Sequence, residues 1–316
     1  MITFDRVTKR YARLGGSAEA VRDLSVTIRT GAITAVLGPN ASGKTTMLRM
    51  LAGQLAPTGG TISIAGRPVA TDARIPHFAV AHDGNNFGDS RLREYLSFAR
   101  SRPGWSMHEY RRLADTFELP SRGYLHKLSL GQRAGFAIAC ALASAAPHVV
   151  IDEAHAGLDV PKRLALYEEL VRTNAEDGRS IIIASHNVGE LERIAEDAIV
   201  LRDGRLIEAT EVDDLAGRFV RVIGPAEGVQ RTVGSRRVVA QRELGATLEA
   251  TVDVSSSPLD PSPAGVVVTP VDFQEAFVAL LGRQGAGMPG DDAAHSAGST
   301  GAHANSTNES TKGSTS

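Results

Sequence analysis

Nine residues constrain this chain more than any others. Gly38-Pro39-Asn40-Ala41-Ser42-Gly43-Lys44-Thr45-Thr46 fits G-x-x-x-x-G-K-[ST], the phosphate-binding loop. The apolar run Ala32 to Leu37 precedes it and reads as a buried strand. Met47 to Ala52 follow as helix formers that stop at Gly53. The motif therefore has the strand–loop–helix setting that it needs, and the expected fold class is α/β. Glycines let successive backbone N–H groups point into one concavity, and the helix N-terminus adds partial positive charge. Lys44 can then reach the β- and γ-phosphates of a nucleotide, and the Thr45 hydroxyl can ligate Mg²⁺.

Composition bounds what surrounds this loop. With 316 residues, 42% of them hydrophobic, the chain can bury a core and hold two domains. A net charge of −2 gives no general pull toward nucleic acid or anionic lipid. Cys140 is the single cysteine, which excludes an internal disulfide and a cysteine-based zinc cluster and suits the cytosol. The N-terminus, Met1 to Arg6, lacks the apolar run of a signal peptide. The long uncharged stretch Ala134 to Ile151 is rich in small residues and broken by Pro147-His148, so a helix followed by a strand fits better than a membrane span. No membrane insertion of its own is expected.

Along the chain, Phe4 to Val7 and Leu24 to Ile28 alternate like strands at a sheet edge. Tyr11 between them either stacks on an adenine ring or simply half-packs. Thr61 to Ile64 and Phe78 to Ala81 are further strands, and from Leu92 the pattern turns helical, with Leu92, Tyr95, Leu96 and Ala99 on one face. Leu128-Ser129-Leu130-Gly131-Gln132-Arg133 opens a helix over Ala134 to Ala146, with Ser129 as N-cap; taken alone, that is a capped helix and nothing more. The strand His148 to Ile151 delivers Asp152 and Glu153 to its carboxyl edge, where ligands sit in open α/β sheets. Asp152 is placed to hold Mg²⁺, and Glu153 to deprotonate a water attacking the γ-phosphate. Gly157-Leu158-Asp159 is a turn, with Pro161 in the first turn of the next helix. Ser180 to Ser185 is a buried strand ending at His186, either a structural histidine or a γ-phosphate contact. Asp203-Gly204 is a hairpin turn.

Taken together, these motifs resemble the ATP-binding subunit of an ABC transporter over about Met1 to Phe219. The phosphate loop is similar to Walker A, Val149 to Glu153 to Walker B with its catalytic glutamate, and Leu128 to Arg133 to the ABC signature. Asp159 falls at the D-loop aspartate, His186 at the switch histidine, and Tyr11 at the adenine-stacking aromatic. The resemblance implies a P-loop NTPase core with an antiparallel β edge and a helical subdomain over about 85–146. It also implies ATP and Mg²⁺ as ligands and a head-to-tail dimer, homo- or heterodimeric. In that dimer Ser129 and Gly131 of one subunit cap the γ-phosphate held by Lys44 of the other. A separate multispanning permease completes the expected assembly, which places the chain on the inner face of the cell membrane.

The chain departs from the family pattern in several places. Leu130 replaces a glycine of the signature, a variant that resembles the drug- and antibiotic-export branch, so export of a drug-like or lipid-like compound is expected. His82 takes the Q-loop position, with Asp83 the alternative; neither is glutamine. Ala154-His155 stands where Pro-Thr is common and reads as tolerated. Asp152-Glu153-Ala154-His155 also spells the DEAH box of a helicase family, which the signature, the short chain and the net charge oppose. A soluble ABC ATPase acting on ribosomes or nucleic acid, and a weakly hydrolysing partner subunit, remain the alternatives.

Beyond Phe219, short β-like runs and a helix over Phe273 to Leu281 resemble the small α+β C-terminal accessory domain of exporter-type ABC ATPases, expected over 220–282. From Gly285 to Ser316 there is no Leu, Ile, Val, Phe, Tyr or Trp, and a disordered tail over 283–316 without an assignable role is expected.

Overall fold

The structure is a computed structural model that describes residues 1–13, 16–69, 77–82, 88–257, 259 and 264–282. Asp83 and the tail over 283–316 lie outside the described residues. The chain opens with the strands β1 (Ile2–Arg13) and β2 (Gly16–Ile28), then β3 (Ile33–Leu37) runs through the phosphate loop into α1 (Lys44–Leu51). β4 (Gly59–Ile64) and the short β5 (Arg67–Pro68) complete an antiparallel sheet ordered β2-β1-β4-β5. β6 (Phe78–His82) leads into three helices, α2 (Leu92–Arg100), α3 (Met107–Thr116) and α4 (Leu130–Ala143). There follow β7 (His148–Asp152), α5 (Val160–Asp177), β8 (Ser180–Ser185), α6 (Val188–Leu191), β9 (Asp197–Arg202), β10 (Arg205–Glu211) and α7 (Val212–Gly217). The last stretch holds β11 (Phe219–Pro225), α8 (Ala226–Val233), β12 (Val238–Leu244), β13 (Thr247–Asp253), β14 (Val267–Pro270) and α9 (Phe273–Gly282).

The central sheet, ordered β10-β9-β3-β8-β7-β6, is parallel except for β10, which returns from β9 through Asp203-Gly204. Every residue of β3, β7 and β8 is buried, as continuous apolar strands covered on both faces require. Alternate side chains divide between two cores. Ala35, Leu37, Val149, Ile151, Ile181 and Ile183 pack toward α4, α5 and the C-terminal helices. Val36, Val150, Ile182 and Ile199 pack toward α1 and the antiparallel sheet. One consequence is that the carboxyl ends of β3, β6, β7 and β8 emerge along a single edge, with His82 beside Asp152 and Leu37 beside Ser185 in register.

Two expectations change. β1 lies inside the antiparallel sheet, between β2 and β4, while β2 is at its edge. The signature helix starts at Leu130, because Ser129 supplies the cap five residues before Ala134, and it stops at Ala143. The helical stretch between β6 and β7 carries its own aromatic packing: Tyr95 and Tyr110 meet Phe136 edge-on at 5.2 and 6.1 Å. Arg112 of α3 ties it to α5 by a two-pronged pair with Glu169, at 2.5 and 2.6 Å.

The C-terminal strands form a four-stranded antiparallel sheet, β12-β13-β11-β14, with α8 against it around Val222, Val229 and Val252. α9 behaves differently. It packs on α6 and α7, and its Phe273, Ala276, Phe277 and Leu280 join the core that holds the central sheet.

Two histidines in this interior set a pH limit on the fold. His148 (6% exposed) pairs through Nδ1 with Ser180 Oγ at 3.0 Å, and His155 (2% exposed) through Nε2 with Ser185 Oγ at 2.9 Å. Burial disfavours their charged forms and pushes both down to about 4. The unfolded chain therefore takes up protons first as pH falls. The stability these rings contribute is complete above about pH 6.5, declines below it, and is gone near pH 4. By pH 5 the loss is about 2 kcal/mol for each ring. The carboxylates held low by arginine, Glu109 and Glu169, act below their ordinary value of 4.5, and so below pH 5. Urea unfolding at pH 7.5 and pH 5.0 checks this: wild type should lose stability, and the pair His148→Asn with His155→Gln should flatten the profile. An equally steep decline in the double variant contradicts the assignment.

Candidate functional site

Local geometry explains why the phosphate loop folds as it does. Gly38 and Gly43 have φ of 155° and 104°, and Ala41 between them lies at 62°. A Cβ at Gly38 would lie 2.2 Å from the Leu201 carbonyl, and one at Gly43 would lie 2.6 Å from the Ala20 carbonyl, so neither position takes a side chain. The hairpin turn between β9 and β10 braces the loop from behind: Gly204 N–H donates to the Ser42 carbonyl at 3.1 Å, and Arg22 N–H to the Gly204 carbonyl at 2.7 Å.

Lys44 is only 5% exposed at the first position of α1. Its ammonium donates to the carbonyls of Gly38 (2.8 Å) and Pro39 (3.1 Å) and lies 3.5 Å from Glu153 Oε1. The Thr45 hydroxyl donates to Asp152 Oδ1 at 3.1 Å, across from the buried end of β7. Glu153 leaves the strand with φ 55°, a left-handed conformation uncommon for a residue with a side chain and frequent at working sites. That turn brings its second oxygen, Oε2, to 3.0 Å from His186 Nδ1. Three separate strand ends thus meet within one set of contacts: β3 through Lys44 and Thr45, β7 through Asp152 and Glu153, and β8 through His186.

These groups, apart from His186, border a cleft of about 520 Å³, lined by Asn40 to Thr46, Asp152 and Glu153 together with Tyr11, Ala18 and Ala20. Tyr11 is 38% exposed, with the Lys9 ammonium 5.5 Å from its ring centroid. Ala18 is its direct partner across the hairpin, so a methyl group leaves room beside the ring for a flat base. The alanines of β2 escape sequence reasoning; the cross-strand register of Tyr11 is the signal that finds them. His82 sits at the same sheet edge, paired with Asp152.

The donor set near Thr45 fits Mg²⁺: one hydroxyl and one carboxylate, both hard oxygens. Among the described residues there is no cluster of three or more His, Cys, Asp or Glu that could hold a metal alone. A cation here would complete its shell with phosphate oxygens and water.

Ser129, Gly131 and Asp159 do not line the cleft. Each has a local task. Ser129 Oγ accepts the Gln132 N–H while Gln132 Oε1 accepts the Ser129 N–H, both at 3.1 Å, a reciprocal capping box. Asp159 caps α5 by accepting the Lys162 N–H at 3.0 Å. Gly131 lets α4 approach the turn after Glu153, since a Cβ there would lie 3.0 Å from the Gly157 carbonyl. Leu130 beside them is 58% exposed.

A parallel sheet with an antiparallel partner sheet, a phosphate loop, and an acid pair on the neighbouring strand give this chain the P-loop fold found in ABC ATPases. The family profile described as ABC transporter matches residues 21–156, somewhat under half of the chain. A methionine import ATP-binding protein, MetN, of Cereibacter sphaeroides is 32% identical over 70% of this chain, and the chain spans 65% of its length, just under two thirds. The Nod factor export ATP-binding protein I of Burkholderia orbicola is 29% identical over 90% of this chain and 97% of its own length. Among solved structures, a dimeric ATP-binding cassette in a post-hydrolysis state bound to ADP and Pi shares the fold, with a TM-score of 0.57, 24% identity and coverage of 67% of this chain and 98% of that one.

Proposed function

We propose that this chain is the ATP-hydrolysing subunit of a membrane exporter, working as a head-to-tail dimer beneath a separate permease. The observation that carries the reading is the meeting of Lys44, Thr45, Asp152 and Glu153 at one end of a nucleotide-sized cleft, with His186 held against Glu153 from outside its lining. In this reading Lys44 and the N–H groups of residues 38–46 bind the β- and γ-phosphates, and Tyr11 stacks on the adenine. Thr45 and Asp152 hold Mg²⁺, which supplies charge neutralisation at the phosphates. Glu153 accepts the proton of the attacking water, and His186 contacts the γ-phosphate while steadying that carboxylate. His82 lies at the Mg²⁺ edge in place of a glutamine.

Dimerisation is supported by the position of the signature. Ser129 and Gly131 lie outside the cleft of their own chain, which suits a signature that serves the cleft of a second copy. The permease is supported by the absence, among the described residues, of any helix long and apolar enough to cross a membrane. A groove of about 280 Å³ between the core and the helical segment, flanked by the 69%-exposed Phe98, offers the partner a place to seat an apolar side chain. In this scheme residues 1–219 form the ATPase domain, 220–282 an accessory domain and 283–316 a tail, with the chain on the inner face of the membrane.

Export is favoured by the Nod factor export relative, whose likeness extends through the C-terminal segment to 90% of this chain. The methionine-import relatives carry the opposing reading, in which the same motor drives uptake. A pull-down tests the assembly: tagged full-length Glu153→Gln protein, solubilised in mild detergent with ATP, should bring down a multispanning membrane protein in fixed proportion. Ribosomes, nucleic-acid complexes or the protein alone in the eluate would overturn the reading.

A further inference from the structure

His155 stands two residues beyond Glu153, in the short 3₁₀ turn Ala154–Gly157, and the nucleotide cleft does not use it. Its Nε2 lies 2.9 Å from Ser185 Oγ. The same hydroxyl accepts the Asn187 N–H at 2.9 Å. One oxygen therefore joins His155 to the residues on both sides of His186, whose Nδ1 meets Glu153 Oε2 at 3.0 Å. The backbone makes a parallel tie, from Glu153 N–H to the Ala184 carbonyl at 3.1 Å.

Hydrogen-bond accounting fixes the tautomer. Nδ1 of His155 is buried and has no partner among the described residues. An orphaned buried N–H is the costlier vacancy, so the proton belongs on Nε2, which donates to Ser185 Oγ. The Ser185 hydrogen is then free to turn toward the Asn187 carbonyl, 3.5 Å away. Burial keeps the ring neutral. The ring is also held from behind. Tyr167 of α5 lies against it, with centroids 6.3 Å apart, and the Tyr167 hydroxyl donates to Glu190 at 2.7 Å. Glu190 is itself paired with Arg163 at 2.8 Å.

We propose that His155 is a positioning residue for hydrolysis: by holding Ser185 it sets the Ser185–Asn187 turn, and so aims the half-exposed His186 at Glu153. The inference rests on the reading of Glu153 and His186 as the hydrolytic pair. Nucleotide affinity depends on Lys44 and the phosphate loop, which His155 does not touch, whereas turnover depends on where His186 sits. Small misplacements of a reacting group cost one to two powers of ten in rate.

The test uses the full-length protein and the variants His155→Ala, His155→Gln, Ser185→Ala and His186→Ala, with the double variant His155→Ala/His186→Ala. His155→Ala should lower kcat about ten- to a hundredfold with KM for ATP within about twofold of wild type. His155→Gln, whose amide nitrogen can reach the Ser185 hydroxyl, should restore most of the rate. Because His155 acts through His186, its removal should add nothing in the His186→Ala background. The imidazole resonances of His186 in ¹⁵N-histidine-labelled protein provide a second readout that needs no turnover. They should move in His155→Ala and in Ser185→Ala, the milder change if the alanine at 155 unfolds the chain, and return in His155→Gln. An unmoved His186 resonance, or an equal loss of rate with His186 already absent, overturns the proposal. If wild type itself lacks ATPase activity, the reading of the site has failed instead, and the His186 resonances alone decide the positioning role.

Discussion

Glu153→Gln is expected to lower ATP turnover by roughly a hundred- to a thousandfold, the range supplied by a well-placed general base. The substitution keeps the shape of the side chain but removes its capacity to take a proton. The left-handed backbone at Glu153 and its N–H bond to the Ala184 carbonyl do not depend on the carboxylate, so the fold should survive. Two contacts change: the approach to Lys44 at 3.5 Å loses its charge, and His186 at 3.0 Å faces an amide. Removing a negative charge beside the phosphates lowers repulsion, so ATP affinity should hold or rise. Phosphate release under saturating ATP, with a fluorescent nucleotide to report binding, separates the two effects. Turnover within about threefold of wild type would place the proton acceptor elsewhere and return the weakly hydrolysing reading to the front.

Lys44→Ala should weaken ATP binding by at least about a hundredfold. A charge-assisted hydrogen bond contributes about 1.5–3 kcal/mol, and an ammonium bridging two phosphates makes two of them. A loss of about 3 kcal/mol already corresponds to more than two powers of ten in affinity. The folded protein loses something as well. The carbonyls of Gly38 and Pro39 would lose their donor, so a modest fall in melting temperature should accompany the lost binding. Isothermal titration with ATP and Mg²⁺ gives the answer, and unchanged affinity would remove the phosphate-loop assignment. Lys44→Arg should not rescue binding. The buried site is built for a compact ammonium, and a planar guanidinium does not fit between the two carbonyls.

The parts of the site that lie at the ends of apolar runs are legible in the sequence. Lys44, Asp152, Glu153 and His186 each lie at or beyond the end of a strand whose continuous hydrophobicity marks it as buried, and parallel strands bring those ends to one edge. What the sequence hides depends on partners far along the chain. His155 draws its meaning from Ser185, thirty residues away, and Ala18 from its register opposite Tyr11. β1 and β2 run much longer than their alternation indicates, because the register shifts repeatedly between Phe4 and Arg10 and Arg6 and Asp23 adopt positive φ. α8 is short, and its valines at 229 and 233 are too few to announce a helix before the neighbouring sheet is known.

The placement of α9 bears on how the protein comes into being. Phe273 and Leu280 fill the same core as Leu37 and Ile183, yet the ribosome delivers them after the whole edge that carries the candidate site has been made. Until then, the apolar surfaces of α6 and α7 have no cover, and a chain stopped near Phe219 would present them to water or to one another. The candidate site thus depends for its maturation on a segment that does not line it. Late closure through contacts this distant in sequence favours slow folding and a window in which chaperones would find the nascent protein.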